Sequence, residues 1–325
     1  MTDPALLLLT EAGEGIGFGH LTRMLAVGDA LRAAGVEASM LVQWEGAPVR
    51  SLLEGCPWVG EAEWRRDPLA VCSPATRAVM IDSYRLPLEG YTRVAGAGVK
   101  LAVVDDFYRL PFPADLVVNP NVYGQATRYA AHARAAMAGV EWVILRSPFV
   151  RAVGSFQVRE SLHRVLLTLG GSDRQGLGRR LAGALAAESE VLWVAPDEAG
   201  RPAGDPRITV LGAQTAQGMV ACICRCDLVV CGGGQTLHEL ACLGAPCVAI
   251  ELGEDQRLNL DFYESAGLLG PRLAGVEPGV EAKVVQRVSS LAAADRRGAL
   301  SLRACALIDG SGAGRVAAKL ASLLK

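Results

Sequence analysis

The sequence has no long hydrophobic run, and its charges nearly cancel. Its longest apolar stretches, such as residues 5–10 and 228–231, are far too short to cross a bilayer. No basic segment followed by a long apolar stretch stands near its beginning, so we expect no signal peptide. A formal net charge of −2 offers no electrostatic basis for broad nucleic-acid binding. We therefore expect no nucleic-acid partner and no stable membrane insertion.

The sequence also lacks cysteines at metal-binding spacing. Nine cysteines are present, an odd number, and most stand in apolar or helical contexts, which is typical of free thiols in a reducing cytoplasm. The group Cys222, Cys224, Cys226 and Cys231 has no paired C-x-x-C knuckle, and no histidine follows it at finger distance. We expect small buried thiols here, no metal site and no cofactor.

The chain is long enough, at 325 residues, for two domains with separate cores. Hydrophobic residues make up 51% and charged residues 20%, which indicates a compact soluble protein without large disordered tails. Short apolar runs alternate with helical patterns throughout, as in parallel α/β sheets.

The pattern divides into two halves. Strands are predicted at residues 5–10, 37–42, 78–82, 101–105, 116–119 and 142–145, and then at 164–169, 190–195, 208–211, 228–231 and 247–251. Helices are predicted at 21–35, 176–187, 215–224, 236–243, 258–266 and 314–324. Between residues 146 and 162 the alternation stops, which favours two Rossmann-like domains, 1–150 and 160–325. The alternative at this length is a (β/α)₈ barrel. In a barrel we would not expect the alternation of strands and helices to stop and then begin again, as it does at Gly170-Gly171.

The segment Glu14-Gly15-Ile16-Gly17-Phe18-Gly19-His20 joins the first predicted strand to the first helix. Glycines at such a turn let the backbone approach a ligand, and the helix N-terminus behind them favours an anion. We therefore assign Gly17, Phe18 and Gly19 to ligand binding. His20 is placed to act as an acid, a base or a hydrogen-bond donor, the alternative being a helix-capping role.

Polar residues also end the later strands of the first half. Parallel strands place their carboxyl ends, where ligands bind, along one edge of the sheet. The candidates there are Asp82, Tyr84, Asp106, Asn119 and Asn121, each of which has helix capping as its alternative. Because side chains alternate along a strand, only one of Asp105 and Asp106 can face the ligand.

The second half has two further glycine turns after strands. A glycine-opened helix N-terminus suits a diphosphate, and a carboxylate in the first helical turn can receive ribose hydroxyls. His238 is interpreted as a packing or hydrogen-bonding residue. For Glu239 the alternative is a solvated charge. For the loop at residues 254–256 the alternative is a plain surface turn. The ligand-binding candidates are Gly171, Ser172, Gly233, Gly234, Gln235, Thr236, Glu239, Asp255 and Gln256.

Together these segments resemble the GT-B nucleotide-sugar enzymes, and among them the UDP-sugar hydrolases of pseudaminic acid biosynthesis. The similarity extends over residues 5–270 and departs from the family at residues 142–149 and at Asp255. The segments that carry it are 15–23 (GIGFGHLTR), 81–84 (IDSY), 105–106 (DD), 115–121 (DLVVNPN), 145–146 (LR), 169–173 (LGGSD) and 232–239 (GGGQTLHE).

The resemblance implies two domains that face an interdomain cleft, with UDP on the C-terminal domain and the amino-sugar on the N-terminal one. It implies release of UDP from a UDP-linked diacetamido-trideoxy hexose, with inversion and without a metal. His20 would then activate or position water, helped by Tyr84 and Asp106. Two alternatives remain: a glycosyltransferase, in which an acceptor hydroxyl replaces water, and a catalytically silent binding protein. The oligomeric state is not predicted.

Overall fold

The computed structural model describes residues 4–170, 176–195 and 205–325. It divides the chain into two compact units. Unit 1 consists of Met1–Ser147 and Ser311–Lys325, and unit 2 of Pro148–Gly310.

Unit 1 is built on a seven-stranded sheet in the order β3-β2-β1-β4-β5-β6-β7, with every neighbouring pair parallel. The first strand is buried along its whole length, as expected for a strand covered on both faces. The strands are β1 (Leu6–Gly13), β2 (Ala38–Glu45), β3 (Val59–Glu61), β4 (Ala78–Asp82), β5 (Lys100–Val104), β6 (Leu116–Asn119) and β7 (Ala136–Ala138).

Helices cover both faces of this sheet, and each face has its own core. On one face Leu6, Leu8 and Met80 of the strands pack with Met24 and Val27 of the first helix. The opposite face is closed by the second helix and by the loops between strands. The helices of unit 1 are α1 (Gly19–Ala33), α2 (Leu88–Gly96) and, after unit 2, α10 (Gly312–Leu323).

Unit 2 repeats the plan with five parallel strands in the order β10-β9-β8-β11-β12. Its strands are β8 (Arg164–Thr168), β9 (Glu190–Val194), β10 (Ile208–Leu211), β11 (Leu228–Gly232) and β12 (Cys247–Ile250). Its helices are α3 (Ser147–Arg151), α4 (Leu177–Leu185), α5 (Ala216–Cys224), α6 (Thr236–Leu243), α7 (Arg257–Ser265), α8 (Val280–Ser290) and α9 (Ala294–Leu307). Two open parallel sheets replace the closed barrel that was the alternative.

The structure differs from the sequence prediction at residues 142–145, which form no strand. Val143, Ile144 and Leu145 are buried, and Ile144 packs in the core with Val316 and Leu320 of helix α10 instead of pairing in the sheet. The approach is so close that a Cβ on Gly312 would lie 2.1 Å from the Val143 carbonyl oxygen. The seventh strand is β7, ahead of this run, and the short edge strand β3 has no counterpart in the prediction.

The last helix packs in the N-terminal unit, whereas the sequence predicted it in the C-terminal domain. Residues 311–325 were assigned to the C-terminal domain, whereas α10 lies against α1 in unit 1. Val316 and Leu320 of α10 are fully buried in the core beside α1. Unit 1 is therefore discontinuous in sequence.

The structure contributes three further observations on the described residues. Within them, no helix is both long enough and apolar enough to cross a bilayer. The nine cysteines are all free, and no group of three or more metal-ligating side chains is found in the same part of the chain.

Candidate functional site

His20 lies in the first turn of α1, directly after the glycine loop. Helix α1 begins at Gly19, and no side chain caps its N-terminus. The loop closes on itself, because Gly17 N donates to Gly13 O at 2.8 Å and Gly13 N donates to Gly17 O at 3.1 Å. Gly17 has a φ of +81°, which favours glycine, and a Cβ on Gly19 would meet open space. The loop thus leaves free space in front of α1.

A carboxylate from the neighbouring strand holds the imidazole of His20. Nδ1 of His20 lies 2.6 Å from Oδ1 of Asp82, the last residue of β4. Burial favours the neutral acid, but the guanidinium of Arg23 and then His20 outweigh it and hold the pKa of Asp82 well below its usual range. An ionised carboxylate only accepts hydrogen bonds. Arg23 Nη2 lies 3.0 Å from the same nitrogen, but it donates to Asp82 Oδ1 at the shorter distance of 2.6 Å, so we assign the proton of neutral His20 to Nδ1. Neutral His20 therefore has its lone pair on Nε2.

Nε2 is the open side of this imidazole. In the described part of the chain, Nε2 has no hydrogen-bond partner, and it is not fully buried. His20 as a whole is only 4% exposed. A buried ring with one accessible nitrogen that carries a lone pair is suited to take a proton from a bound molecule.

Arg23, one turn after His20 on α1, joins two carboxylates. Its Nε donates to Asp82 Oδ2 at 2.5 Å and its Nη2 to Asp82 Oδ1 at 2.6 Å. Its Nη1 donates to both oxygens of Asp106, at 2.8 and 2.9 Å. Although burial opposes the charged form, the carboxylates of Asp106 and Asp82 raise the pKa of Arg23 well above its usual value. Arg23 is permanently charged and fixes the ends of two strands relative to α1.

Asp106 accepts hydrogen bonds from three side chains. Besides Arg23, Asn121 Nδ2 donates to its Oδ1 at 2.7 Å, and the Tyr84 hydroxyl donates to its Oδ2. Burial and the Asp106 carboxylate raise the pKa of Tyr84 far above its usual range, so its hydroxyl keeps its proton. With both oxygens occupied, Asp106 supports the cluster and is a poorer proton acceptor than His20.

Asn119 acts behind this cluster. It is fully buried, its Nδ2 donates to the Tyr129 hydroxyl at 3.0 Å, and its Oδ1 accepts from the backbone and side-chain nitrogens of Asn121. In the structure it orients Asn121, and its binding role stays a prediction.

The two adjacent aspartates point apart, which confirms the expectation from strand alternation. Asp105 accepts from Tyr108 N at 2.7 Å, from the Tyr129 hydroxyl at 2.7 Å and from Arg109 Nε at 3.2 Å. These bonds brace the loop after β5. Of the pair, only Asp106 enters the cluster with Arg23.

In unit 2, the three glycines before α6 differ in the space around them. A Cβ on Gly232 would lie 2.8 Å from Leu252 Cδ1, and a Cβ on Gly233 would lie 2.7 Å from Leu260 Cγ of α7. The position of Gly234 is open, with the nearest atom, Gln256 Nε2, at 3.9 Å. In the described part of the chain, the backbone nitrogens of Gly234 and Thr236 donate to no acceptor. Of these glycines, Gly234 thus has the geometry to approach an anion.

Gln256 and Asn259 hold this turn in place. Gln256 Oε1 accepts from Gly233 N at 2.9 Å and from Leu252 N at 3.1 Å, and Asn259 Nδ2 donates to Gly233 O at 3.3 Å. Asp255 is exposed, and its carboxylate lies over Gly253, where a Cβ would meet Oδ1 at 2.6 Å. The side chain of Gln256 therefore shapes the loop and presents only its Nε2 near Gly234.

The remaining candidates of unit 2 differ in environment. Gln235 is exposed and Thr236 half-buried at the start of α6. Glu239 is 2% exposed, so the alternative of a solvated charge is wrong. His238 is buried with Nδ1 2.8 Å from the Tyr263 hydroxyl, as its packing interpretation expected. Gly171 and Ser172 lie outside the described residues.

Three side chains with structural or binding potential were given no role from the sequence. Arg23 stands inside the 15–23 motif, where its spacing of three from His20 was the available signal. Arg109 and Phe107 follow Asp106 in a loop without a distinguishing pattern. Their importance comes from contacts with Tyr84, which only the structure reveals.

Solved structures share this architecture over nearly the whole chain, whereas no protein-family model and no curated protein matches the sequence. MurG of Acinetobacter baumannii superposes with a TM-score of 0.69 at 17% identity, over 98% of this chain and 100% of that one. A putative UDP-N-acetylglucosamine 2-epimerase from Listeria monocytogenes gives 0.66 at 14%, over 97% and 96%. UGT89C1 of Arabidopsis thaliana, complexed with UDP, gives 0.70 at 13%, over 99% and 100%. At these identities the likeness establishes the fold alone, and it confirms the expected GT-B fold.

Proposed function

We propose that this protein is a nucleotide-sugar hydrolase that releases UDP from a UDP-linked diacetamido-trideoxy hexose of the pseudaminic acid type. The observation that carries the proposal is the His20–Asp82 pair, with Nδ1 donating and Nε2 open. Water is the smallest nucleophile that needs such a base. Structural neighbours solved with UDP, UGT89C1 and the MnaA of S. aureus, support a uridine nucleotide as the leaving group.

In the proposed reaction, Nε2 of His20 takes a proton from water as the water oxygen bonds to the anomeric carbon. The bond between that carbon and the diphosphate oxygen breaks, and UDP leaves with the electron pair. Asp82 stabilises the imidazolium that forms, and Arg23 keeps Asp82 in place. Tyr84 and Asp106 bind and orient the sugar, and a single displacement inverts the anomeric configuration.

The nucleotide is assigned to unit 2. The unpaired backbone nitrogens of Gly234 and Thr236 and the N-terminus of α6 stabilise the diphosphate as negative charge develops on it. Glu239 is proposed to bind the ribose, and Gln235, Asp255 and Gln256 to complete the nucleotide site. This route uses no metal. Gly171 and Ser172 keep their assignment to the same ligand.

A glycosyltransferase is the second candidate, because several solved neighbours are named as such. They include the calicheamicin glycosyltransferase CalG4 (TM-score 0.62, 13% identity) and the spinosyn forosaminyltransferase SpnP (0.63, 13%). In that reaction an acceptor hydroxyl replaces water at His20, and the rest of the scheme is unchanged.

The deciding experiment incubates purified protein with UDP-diacetamido-trideoxyaltrose, with and without sugar acceptors, while UDP and free sugar are quantified. We expect UDP and free sugar in equal amounts without an acceptor. In ¹⁸O-labelled water the label should enter the sugar and not UDP, because attack occurs at carbon and not at phosphorus.

His20→Ala should abolish this release, and His132→Ala provides the matched control, since His132 is an exposed histidine of the same unit. UDP release that requires an acceptor would support the transferase. Tight UDP binding without turnover in either format would support the silent binding protein.

A further inference from the structure

Within the described residues, all exposed Phe, Tyr and Trp side chains lie at one edge of unit 1. They are Phe18, Tyr84 and Phe107, with 40%, 41% and 44% of their surface exposed. Phe18 directly precedes α1, Tyr84 follows β4, and Phe107 follows β5. These are the loops that also supply His20 and Asp106. Water-exposed aromatic surface costs free energy, and its concentration at one site indicates a ligand.

Tyr84 contacts both the Phe107 ring and the imidazole of His20. The Tyr84 ring centroid lies 4.3 Å from that of His20, edge to face, and 5.9 Å from that of Phe107. The Tyr84 hydroxyl is fixed on Asp106. The exposed part of Tyr84 therefore begins beside the proposed base, and Phe107 extends the aromatic surface from Tyr84.

Arg109 holds the two loops that carry Tyr84 and Phe107. Its guanidinium lies 4.6 Å from the Tyr84 ring centroid. Its Nη2 donates to Ser83 O at 2.8 Å and its Nη1 to Tyr84 O at 3.2 Å, while Nε donates to Asp105. One side chain thus joins the loop after β4 to the loop after β5, and the two rings are held together.

We propose that Tyr84 and Phe107 form a platform on which the C–H face of the hexose stacks, with Arg109 as the residue that positions it. The proposal rests on the proposed function and extends it to the binding mode of the sugar. A pyranose has one face dominated by C–H bonds, whereas its hydroxyl and amide groups point outward. Stacked on the platform, the ring turns its polar groups toward the Asp106 and Asn121 side chains and its anomeric carbon toward His20.

Phe107 allows a clean test because no polar contact of the cluster depends on it. Phe107→Ala should raise KM for the UDP-sugar about three- to tenfold, as expected from the loss of one aromatic contact, with a much smaller change in kcat. Phe107→Trp should restore the wild-type KM. Leu302→Ala is the control, since Leu302 is a large apolar residue exposed on α9 of unit 2.

Arg109→Gln tests the positioning role. It should raise KM in the same way, and the double variant with Phe107→Ala should be less than multiplicatively worse, because both changes act on one platform. A fully multiplicative double variant would contradict the positioning role. An unchanged KM in Phe107→Ala would overturn the platform, and so would an increase confined to the KM of an acceptor.

Saturation-transfer NMR separates this inference from the proposed function, since it needs no turnover. The probes are UDP-diacetamido-trideoxyaltrose and UDP-N-acetylglucosamine, each with the wild-type protein and Phe107→Ala. We expect saturation of the hexose C–H protons to fall in the variant, while saturation of the uracil protons persists. Unchanged hexose saturation, or hexose protons that receive none in the wild type, would refute the platform. Absence of UDP release in the activity assay refutes only the hydrolase.

Discussion

The cluster around Arg23 contains several titratable side chains, but only one of them is available as a base. Asp82 and Asp106 are ion-paired with Arg23, and Tyr84 donates its proton to Asp106. His20 alone combines a fixed tautomer with an accessible nitrogen. At the scale of single residues, the hydrogen bonds of the cluster thus assign the acid–base role more sharply than residue types do.

Asp82→Asn changes one charge and almost no volume. The amide can donate to Nδ1, which allows the imidazole tautomer with its proton on Nε2, and it cannot stabilise an imidazolium. We expect kcat for UDP release to fall about 10²- to 10⁴-fold with little change in KM. Steady-state kinetics with a thermal melt of each variant measure both quantities.

Asp115→Asn is the matched control for this substitution. Asp115 is a carboxylate paired with Lys100 and bonded to Leu101 N, just before β6 and so at the amino end of the same sheet. It should leave kcat unchanged. A kcat for Asp82→Asn within twofold of wild type would mean that the pair does not serve the reaction.

The individual candidates at the strand ends could be predicted from the sequence, but their division of labour could not. Strand alternation was enough to separate Asp105 from Asp106. It could not show that Asn119 is buried behind Asn121, or that Arg23 links two strands. The Arg23 link joins residues 59 and 83 positions apart, and the burial of Asn119 depends on how the loops pack around β6; a single sequence carries no direct signal for either.

At the scale of elements, the turn before α6 separates packing from ligand access. Gly233→Ala would place a Cβ 2.7 Å from Leu260 Cγ and 3.0 Å from Gln256 Cβ, so it should destabilise the protein by about 1–3 kcal/mol. Gly234→Ala has space and should leave stability nearly unchanged, yet it should weaken UDP binding. Chemical denaturation and calorimetric titration with UDP distinguish the two. Equal stability losses at both positions would contradict this assignment.

The contact between α6 and α7 contains a histidine whose protonation opposes folding. Burial lowers the pKa of His238 to about 4. The unfolded chain, with an ordinary histidine pKa near ~6.5, binds this proton first as the pH falls, so folding loses stability between about pH 6.5 and 4. The total loss from this group is roughly 3 kcal/mol.

His238→Gln keeps a polar partner for the Tyr263 hydroxyl and removes the titration. We expect denaturation curves of this variant to depend less on pH below 6.5 than those of the wild type. His132→Gln, a change at an exposed histidine, should leave the dependence unchanged. Parallel curves for His238→Gln and wild type would show that His238 does not titrate with unfolding.

Most strands were predictable from the sequence because a parallel sheet buries nearly continuous apolar runs. The same rule produced the error at residues 142–145. That run is apolar and buried, but its covering partner is a helix from the other end of the chain. Burial alone does not distinguish contact with a sheet from contact with a helix, so this difference was invisible to periodicity.

At the scale of the whole molecule, the two units differ in their continuity. Unit 2 is a single stretch, Pro148–Gly310, whereas unit 1 needs its last helix from Ser311–Lys325. A sequence division at one linker could not detect this, because α10 follows the strands and helices of unit 2 without interruption. The apolar side of α10, with Ala313, Val316, Ala317 and Leu320, fills the core against α1.

We therefore expect a fragment of unit 2 to fold cooperatively on its own and a fragment of unit 1 without α10 not to do so. Residues 148–310 alone should unfold cooperatively, whereas residues 1–147 should expose the face of α1 that α10 covers and bind a hydrophobic dye. Joining residues 311–325 to 1–147 through a flexible linker should restore cooperative unfolding, because the missing core side chains return. In the same fusion, Leu320→Ala should cost about 2–5 kcal/mol. Cooperative unfolding of residues 1–147 without α10 would show that the helix is dispensable for unit 1.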